Sequence, residues 1–255
     1  MALIELNIYS NALGTDTAIS VILPRLKKDS PPSQVLYNFH GGRGDHTFGS
    51  RYTDIERLAG PYNLAVVTPT TAGAGRVKVR NIPYGEQWWD YYSEELPEII
   101  NNMFRVSASR EDTFAMGGSG GGYAVLKLAL EKPEMIGAVA GMCPMLLSRQ
   151  SQEIMKAETP NDRFKELAYY FGDPFPDEYD IYKILETAGK KDLKSAMFLC
   201  CGTEDGLFPL VSGFRDKAIE LGFEPAWDER PGAHTMEYGA EMLPVALDWL
   251  PLKKL

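Results

Sequence analysis

Five glycines surround one serine and restrict the local backbone more strongly than any other segment of the sequence. Residues 117–122 read Gly-Gly-Ser-Gly-Gly-Gly, after a short apolar run at 113–116 and before a segment with helical spacing at 123–130. This G-x-S-x-G spacing, in a strand–turn–helix context, forms a sharp turn that lifts the serine hydroxyl above the edge of a sheet. Glycines are needed there because side chains would collide with the adjoining strand and helix. The cluster therefore predicts an exposed nucleophile, Ser119.

Other glycine-rich motifs do not fit this segment. A dinucleotide-binding turn that began at Gly118 would need Gly or Ala at the position of Tyr123, and a phosphate-binding loop would need Lys after Gly122. A flexible turn with an inert serine is the remaining alternative. It is disfavoured because glycines at the start of a helix are costly unless another segment must approach closely.

The rest of the chain predicts a mostly parallel sheet. Short apolar runs, of the kind buried on both faces of such a sheet, lie at residues 35–39, 64–68, 113–116, 136–140, 196–201 and 225–229. Segments with helical spacing separate them, at 93–103, 123–130, 213–221 and 240–250. This alternation predicts βαβ units with helices on both faces of the sheet. Two earlier runs, 3–8 and 17–23, are joined by turn residues and predict an antiparallel hairpin at one edge.

Residues 148–188 interrupt the alternation with amphipathic stretches that glycine and prolines divide. We interpret them as a short, cap-like helical insertion above the carboxyl ends of the strands, within a single domain that spans residues 1–255. Phe171 in this insertion and Trp88 in an aromatic cluster at 88–92 are candidates for binding substrate. Packing of the same aromatic side chains in the core is the alternative.

A serine hydroxyl becomes a strong nucleophile only when a base takes its proton. In hydrolases with this type of turn, the partners follow the serine in the order acid, then histidine. Of the histidines His40, His46 and His234, only His234 follows Ser119, in a loop between the last predicted strand and the last predicted helix. We therefore predict that His234 is the general base.

The acid should follow a buried strand between the serine and the histidine. The run that ends at Cys201 is followed by a turn and two carboxylates, Glu204 and Asp205. Asp205 is the predicted acid, and Glu204 is the alternative. The acid would hold the imidazole in one tautomer and stabilise the imidazolium, without taking the proton itself.

The segment His40-Gly41-Gly42 follows the predicted strand 35–39. Its position suits half of an oxyanion hole, with the N–H of Gly42 as donor and Gly41 either as the alternative donor or beside the substrate. The N–H of Gly120 would supply the other half, and such donors stabilise charge that develops only in the transition state. We predict that His40 fixes this loop by hydrogen bonds.

With these residues identified, the chain resembles the putative esterase family that contains esterase D and the bacterial tributyrin esterases, from about residue 33 to the C-terminus. The motifs that carry the resemblance are Phe39-His40-Gly41-Gly42, Glu95-Leu96-Pro97, Gly117-x-Ser119-x-Gly121-Gly122-Tyr123, Cys201-Gly202-x-Glu204-Asp205 and Gly232-x-His234. The resemblance implies an α/β-hydrolase fold, carboxylesterase activity on short acyl chains, no cofactor and, in many members, an oligomer. The chain departs from the family pattern at Gly120, where members usually carry methionine, and at Ala124-Val125, where they carry Gly-Ala.

Several alternatives remain open at this point. The same residues suit a feruloyl or acetyl-xylan esterase, an S-formylglutathione hydrolase or another thioesterase, a peptidase or an acyltransferase, because a fold does not determine a reaction. A catalytically decayed α/β-hydrolase that acts as a binding module is the alternative from another class. The complete set of serine, acid, histidine and glycines argues against decay.

Composition restricts the partners. The chain has 255 residues, and 35 acidic against 26 basic side chains give a net charge of −9, which argues against a nucleic-acid partner. The cysteines, Cys143, Cys200 and Cys201, are odd in number and two are adjacent, so we predict buried free thiols and no disulfide framework. The N-terminus alternates like a strand and no stretch is long enough to span a bilayer. We therefore expect a cytoplasmic enzyme without a membrane partner. The family resemblance adds the expectation of a small-molecule ester as substrate, with no metal and no cofactor.

Overall fold

A computed structural model describes residues 1–42, 44–71, 81–82, 84–157 and 162–255 of the chain. Within these residues, eight strands form one sheet: β1 (Ala2–Ser10), β2 (Thr15–Leu23), β3 (Gln34–Phe39), β4 (Leu64–Pro69), β5 (Thr113–Gly118), β6 (Ala138–Met142), β7 (Ala196–Gly202) and β8 (Ala226–Arg230). Their order is β1-β2-β4-β3-β5-β6-β7-β8. Strand β2 is antiparallel to both of its neighbours, β1 and β4, and the other pairs are parallel. The predicted hairpin and parallel sheet are confirmed.

The helices lie between the strands in the predicted alternation. They are α1 (Phe48–Tyr52), α2 (Ile55–Ala59), α3 (Trp88–Asp90), α4 (Leu96–Met103), α5 (Gly120–Glu131), α6 (Arg149–Ala157), α7 (Asp162–Phe171), α8 (Ile181–Gly189), α9 (Phe208–Glu220) and α10 (Met236–Trp249). A π-helical segment, Tyr91–Glu95, joins α3 to α4, and short 3₁₀ turns lie at Arg110–Asp112 and Asp177–Tyr179.

Strand order places the helices on both faces of the sheet. From β3 to β4 the chain moves towards the β2 edge, whereas from β5 through β8 it moves towards the opposite edge. Because parallel crossovers are right-handed, these opposite directions put α1 and α2 on one face and α5 on the other. Contacts agree with this division, since α10 packs against α2, while α8 packs against both α5 and α9.

The point where strand order changes direction lies between β3 and β5, which are adjacent in the sheet. The loops that leave the carboxyl ends of two such strands diverge and open a crevice, the usual ligand site of an open α/β sheet. Here the loop after β3 begins at His40 and the turn after β5 contains Ser119. The topology alone therefore brings these two segments together.

Strand β6 begins two residues later than the apolar run at 136–140 indicates. Gly137 lies before it, where its N–H donates to the Thr113 carbonyl at 2.9 Å. A Cβ atom on Gly137 would lie 2.4 Å from the Arg110 carbonyl oxygen, so the chain enters the strand through a close backbone contact. As a result β6 ends at Met142, and Cys143 is the first residue beyond its carboxyl end.

The segment predicted as an insertion contains α6, α7 and the 3₁₀ turn at Asp177–Tyr179 before the chain enters α8. The Gln152 side chain links α6 to the segment that follows α7, donating to the Gly172 carbonyl at 2.7 Å and accepting from the Phe175 N–H at 2.8 Å. Asp180 caps α8 by accepting from the Tyr182 N–H at 2.9 Å. Because α8 packs against α5 and α9, the last part of the predicted insertion belongs to the helical layer of the fold. The domain boundary itself stays a prediction.

In the part of the chain that the structure describes, none of the helices is both long enough and apolar enough to cross a membrane.

Candidate active site

Ser119 occupies a turn between β5 and α5 with φ 53° and ψ −120°, a conformation that non-glycine residues rarely adopt. The flanking glycines make this turn sterically possible. A Cβ on Gly117 would lie 2.6 Å from the backbone of Gly121, and a Cβ on Gly121 would lie 2.3 Å from the Phe39 carbonyl oxygen. A Cβ on Gly118 would meet only the Met142 carbonyl oxygen, at an ordinary 3.7 Å. A side chain at Gly117 or Gly121 would therefore clash with backbone atoms, whereas one at Gly118 would not.

Backbone hydrogen bonds hold the serine in this conformation. The Ser119 N–H donates to the Met142 carbonyl at 3.0 Å, and the Ser119 carbonyl accepts from the Met145 N–H at 2.8 Å. Met142 is the last residue of β6, and Met145 lies three residues beyond it. The serine is therefore fixed by the neighbouring strand as well as by its own helix.

The His234 imidazole lies beside the serine. Its Nε2 atom is 3.0 Å from the Ser119 Oγ, a hydrogen-bond distance. His234 lies in the loop between β8 and α10, and Thr235 caps α10 by accepting from the Tyr238 N–H at 3.3 Å. The His234 side chain remains 43% exposed, so a substrate has access to the imidazole.

On the other side of the ring, His234 Nδ1 lies 2.6 Å from Asp205 Oδ2. The Asp205 side chain is 1% exposed, and its Oδ1 accepts from the Leu207 N–H at 2.9 Å. Burial raises the pKa of Asp205, but the hydrogen bonds from His234 and Leu207 outweigh it and leave the pKa below its usual value. Glu204, the alternative acid, is exposed.

The same pair changes the titration of the imidazole. The Asp205 carboxylate, followed by the Cys143 sulfur, raises the pKa of His234 above its ordinary value, against the effect of partial burial. An imidazole hydrogen-bonded through Nδ1–H to a carboxylate presents an unprotonated Nε2 to its other partner. The arrangement can therefore accept a proton from the Ser119 hydroxyl.

The loop after β3 packs directly on the serine turn. A Cβ on Gly41 would lie 3.3 Å from both the Gly118 carbonyl oxygen and the Ser119 Cβ. His40 is buried and fixes this loop: the Thr71 N–H donates to its Nε2 at 3.0 Å, so its proton lies on Nδ1, which donates to the Gly41 carbonyl at 2.7 Å. Because N–H and C=O point in opposite directions across a trans peptide, this bond also orients the N–H of Gly42.

The N–H groups of Gly42 and Gly120 remain the candidate oxyanion donors. Gly120 is the first residue of α5, where an N–H has no acceptor within its own helix. The side chain of His40 thus contacts the loop and not Ser119, as the sequence predicts for a positioning role.

The two aromatic side chains predicted to bind substrate lie in packed surroundings. Trp88 is 5% exposed, stacks edge-on against Tyr91, and its Nε1–H donates to Glu86 Oε2 at 2.9 Å. Phe171 is 9% exposed and packs against Phe175 and Tyr179. These positions favour the alternative of core packing, and a role in binding substrate stays a prediction.

One residue of the site escapes the sequence analysis. Cys143 is buried, as expected for the three free thiols, but its sulfur lies within 4.8 Å of the Cys201 sulfur and of a carboxylate oxygen of Asp205. The sequence does not indicate this position, because a strand predicted to end at residue 140 leaves Cys143 three residues beyond the carboxyl edge of the sheet, where Ser119 lies. With β6 ending at Met142, the signal that could have found it is a cysteine directly after a buried parallel strand.

Among the described residues, the sulfurs of Cys143 and Cys201 and a carboxylate oxygen of Asp205 form a group with the donor atoms of a metal site. They lie within 4.8 Å of one another. The prediction that catalysis needs no metal and no cofactor stays a prediction.

Comparison with known proteins places this geometry in context. The family model described as Putative esterase matches residues 10–205. An acetyl esterase of Caldicellulosiruptor saccharolyticus is 25% identical over 266 residues, covering 98% of each chain. The crystal structure of an S-formylglutathione hydrolase from Staphylococcus aureus is 28% identical, covers 98% of each chain and superposes with a TM-score of 0.85. A substrate-bound structure of the fluorophosphonate-binding serine hydrolase F of Staphylococcus aureus is also 28% identical over 98% of each chain, with a TM-score of 0.84.

Proposed function

Because the chain belongs to the family described as Putative esterase and is a carboxylic ester hydrolase of the α/β-hydrolase fold, we propose that it hydrolyses short-chain acyl esters through Ser119, His234 and Asp205. One observation carries this proposal. The Ser119 Oγ, the two imidazole nitrogens of His234 and the Asp205 carboxylate form a continuous line of hydrogen bonds at 3.0 and 2.6 Å. This is the relation between nucleophile, base and orienting acid that acyl transfer requires.

In the first half of the reaction, His234 Nε2 takes the hydroxyl proton as the Ser119 Oγ attacks the ester carbonyl carbon. The negative charge that develops on the carbonyl oxygen is stabilised by the N–H groups of Gly120 and Gly42, and each such donor contributes about 3–4 kcal/mol in comparable sites. Protonated His234 then gives its proton to the leaving alcohol. The product of this half is an acyl-serine.

In the second half, water replaces the alcohol. His234 Nε2 takes a proton from water as the water oxygen attacks the acyl-serine carbonyl, and the same N–H groups stabilise the second oxyanion. Collapse of this intermediate returns the proton to the Ser119 Oγ and releases the acid. Throughout both halves, Asp205 stays ionised and stabilises the imidazolium.

Two relatives favour a small acyl group. The acetyl esterase is named for a two-carbon acyl group and the S-formylglutathione hydrolase for a one-carbon group on a thiol. Both act through attack on an acyl carbonyl, and the two classes differ in the leaving group. S-formylglutathione hydrolysis is therefore the second candidate function, supported by the structural neighbour with 28% identity over nearly the whole chain.

A panel that varies one end of the substrate at a time tests the proposal. p-Nitrophenyl acetate, butyrate and octanoate compare acyl length with a constant leaving group, while S-formylglutathione, acetylated xylose and methyl ferulate change the leaving group or the acyl class. We expect kcat/KM to be highest for acetate or formyl substrates and to fall with longer chains. Ser119→Ala, checked for folding by circular dichroism, is the matched control and should lose all of these activities. Preference for the octanoate or the ferulate would contradict the short-chain assignment, and turnover by Ser119→Ala would contradict the mechanism.

A further inference from the structure

We propose that the Cys143 and Cys201 thiolates, together with Asp205 and His234, bind a thiophilic divalent cation of the Zn²⁺ class, and that this cation switches the esterase off. The proposal is based on a group of potential metal ligands on the Asp205 side of the His234 imidazole. The two sulfurs and a carboxylate oxygen of Asp205 lie within 4.8 Å of one another. The His234 Nδ1 lies 2.6 Å from Asp205 Oδ2 and so borders this group of three donors, as the fourth ligand of the proposed site.

The donor set selects the kind of cation. Two sulfurs, one nitrogen and one carboxylate oxygen suit a borderline-soft ion that accepts four tetrahedral ligands. Zn–S bonds of about 2.3 Å require a separation of about 3.8 Å between the two sulfurs in a tetrahedron. The observed limit of 4.8 Å leaves about 1 Å for the ligands to close around the ion. Hard cations such as Mg²⁺ and Ca²⁺ prefer all-oxygen sites, so they should not compete.

The framework that presents the sulfurs is rigid. Cys143 directly follows β6, and Cys201 is the last residue but one of β7; Met142 pairs with Cys200 where these two parallel strands lie side by side. The Cys143 N–H donates to the Cys200 carbonyl at 2.8 Å, which extends the ladder by one residue. The Asp205 N–H donates to the Gly202 carbonyl at 3.0 Å and fixes the carboxylate loop at the end of β7. Donors on strand ends are held more precisely than donors on free loops.

The backbone of Cys143 provides an independent observation. Its φ is +42°, a left-handed conformation that is costly for a residue with a side chain. The structure describes positive φ at three non-glycine residues, Tyr84, Ser119 and Cys143; Ser119 is the proposed nucleophile, and Cys143 belongs to the donor group that contains Asp205. In this conformation the Cys143 sulfur lies within 4.8 Å of the Cys201 sulfur and of a carboxylate oxygen of Asp205. Burial of a thiol among a carboxylate, an imidazole and a second thiol is hard to account for by packing alone.

Binding of the cation would prevent His234 from acting as the general base, and this consequence rests on the proposed function. Both thiols lose a proton to solvent when the cation binds, while Asp205 binds as the carboxylate. For His234 Nδ1 to become a ligand, the ring proton must move to Nε2. The imidazole then donates to the Ser119 Oγ and cannot accept its proton. The cation therefore removes the base from catalysis without touching the serine.

The test uses the full chain, kept reduced by a phosphine and stripped of metal with a chelator. Cd²⁺ is the probe, because cadmium–thiolate bonds give an ultraviolet charge-transfer band that reports sulfur ligation directly. We expect the band to saturate at one Cd²⁺ per chain, and one Zn²⁺ per chain to remain after desalting of a Zn²⁺-loaded sample. Absence of the band in the wild-type protein would overturn the proposal, whatever the behaviour of any variant.

Cysteine variants locate the site. Cys143→Ala and Cys201→Ala should each weaken Cd²⁺ binding by more than about 100-fold, since even changes outside the ligand shell of a metal cost 10- to 100-fold in affinity. Cys200→Ala is the matched control. Cys200 is also buried, but its side chain points to the other face of the strand from that of Cys201, so the variant should bind Cd²⁺ like the wild type. Loss of the band in Cys200→Ala alone, with the other two unchanged, would contradict the assigned ligands.

Two further measurements separate this proposal from the proposed function. Ser119→Ala should retain the charge-transfer band although it has no activity, because the serine is not a ligand. In the wild type, the rate of ester hydrolysis should fall with the same Cd²⁺ or Zn²⁺ dependence as the band rises, and excess chelator should restore it, whereas Mg²⁺ should have no effect. A saturated band with an unchanged rate would refute inhibition while leaving the binding site in place. An inactive metal-free wild type would instead refute the proposed function.

Discussion

A Cβ atom on Gly202 would lie 2.1 Å from the carbonyl oxygen of Gly232, so these two glycines let the loop that carries Asp205 pack directly on the loop that carries His234. Hydrogen bonds on both sides of this contact join the loops: the Thr203 N–H donates to the Arg230 carbonyl at 3.0 Å, and the Glu204 N–H donates to the Gly232 carbonyl at 2.9 Å. The distance between the acid and the imidazole is thus set by backbone contact.

The first prediction concerns this contact. Gly202→Ala forces the two loops apart, because the obstacle is backbone and cannot rotate away. We expect a loss of about 1–3 kcal/mol in the free energy of unfolding, measured by urea denaturation, and a large fall in kcat. Gly206→Ala is the matched control, since a Cβ there would have no neighbour within 4 Å, and it should remain stable and active. Equal effects of the two substitutions would show that the contact does not position the site.

The second prediction distinguishes Gly121 from Gly118 in the serine turn by whether an added side chain would clash with backbone. Gly121→Ala places a methyl group 2.3 Å from the Phe39 carbonyl oxygen and must displace either the turn or the loop after β3. Because a displacement of about 1 Å can cost 100-fold in rate, we expect kcat/KM to fall by at least that factor. Gly118→Ala meets its nearest neighbour at 3.7 Å and should keep near wild-type kinetics. An active Gly121→Ala enzyme would mean that close approach of these segments is dispensable.

The third prediction assigns the acid. Asp205→Asn preserves the shape of the side chain but removes the charge that holds the His234 tautomer, so kcat should fall by roughly 10⁴-fold, as for the matching change in a serine protease triad. Glu204→Gln changes the neighbouring, exposed carboxylate and should have little effect on the hydrolysis of p-nitrophenyl acetate. If Glu204→Gln proves to be the more damaging change, the assignment of the acid is wrong.

The fourth prediction is a pH dependence. Asp205 raises the pKa of His234, so the imidazolium persists to higher pH than for a free histidine. Since only the neutral imidazole accepts the serine proton, kcat/KM should rise with pH through a midpoint above about 6.5. In Asp205→Asn the residual kcat/KM should also rise with pH, but through a lower midpoint than in the wild type. The same sign applies to folding: the stabilising contribution of charged His234 is fully present below about pH 6.5 and is lost as pH rises through its raised pKa. A wild-type midpoint at or below 6.5 would contradict this electrostatic pairing.

Much of the fold is predictable because its strands are short, buried on both faces and separated by clear helical segments. Each of the eight strands overlaps a predicted run. The order of Ser119, Asp205 and His234 along the chain suffices to identify three residues that the structure places within hydrogen-bonding distance. Short-range patterns do not reveal α1 and α2, because five residues are too few for a helical period to stand out.

The environment of Cys143 could not be predicted for a different reason. Its role depends on where β6 ends, and the backbone contact at Gly137 shifts that strand by two residues relative to its apolar run. Tertiary contacts of this kind leave no local signal in the sequence. The aromatic cluster around Trp88 shows the same limit, because burial and pocket lining require the same residue types.

The fifth prediction is that a covalent inhibitor captures Ser119 as the nucleophile. Wild-type protein and Ser119→Ala are treated with a fluorophosphonate, and the adduct is measured by intact mass and located by peptide mapping. We predict one adduct per chain, attached to the Ser119 Oγ, with activity lost in proportion to labelling and no adduct in Ser119→Ala. An adduct on any other residue, or hydrolysis that survives full labelling of Ser119, would contradict the account.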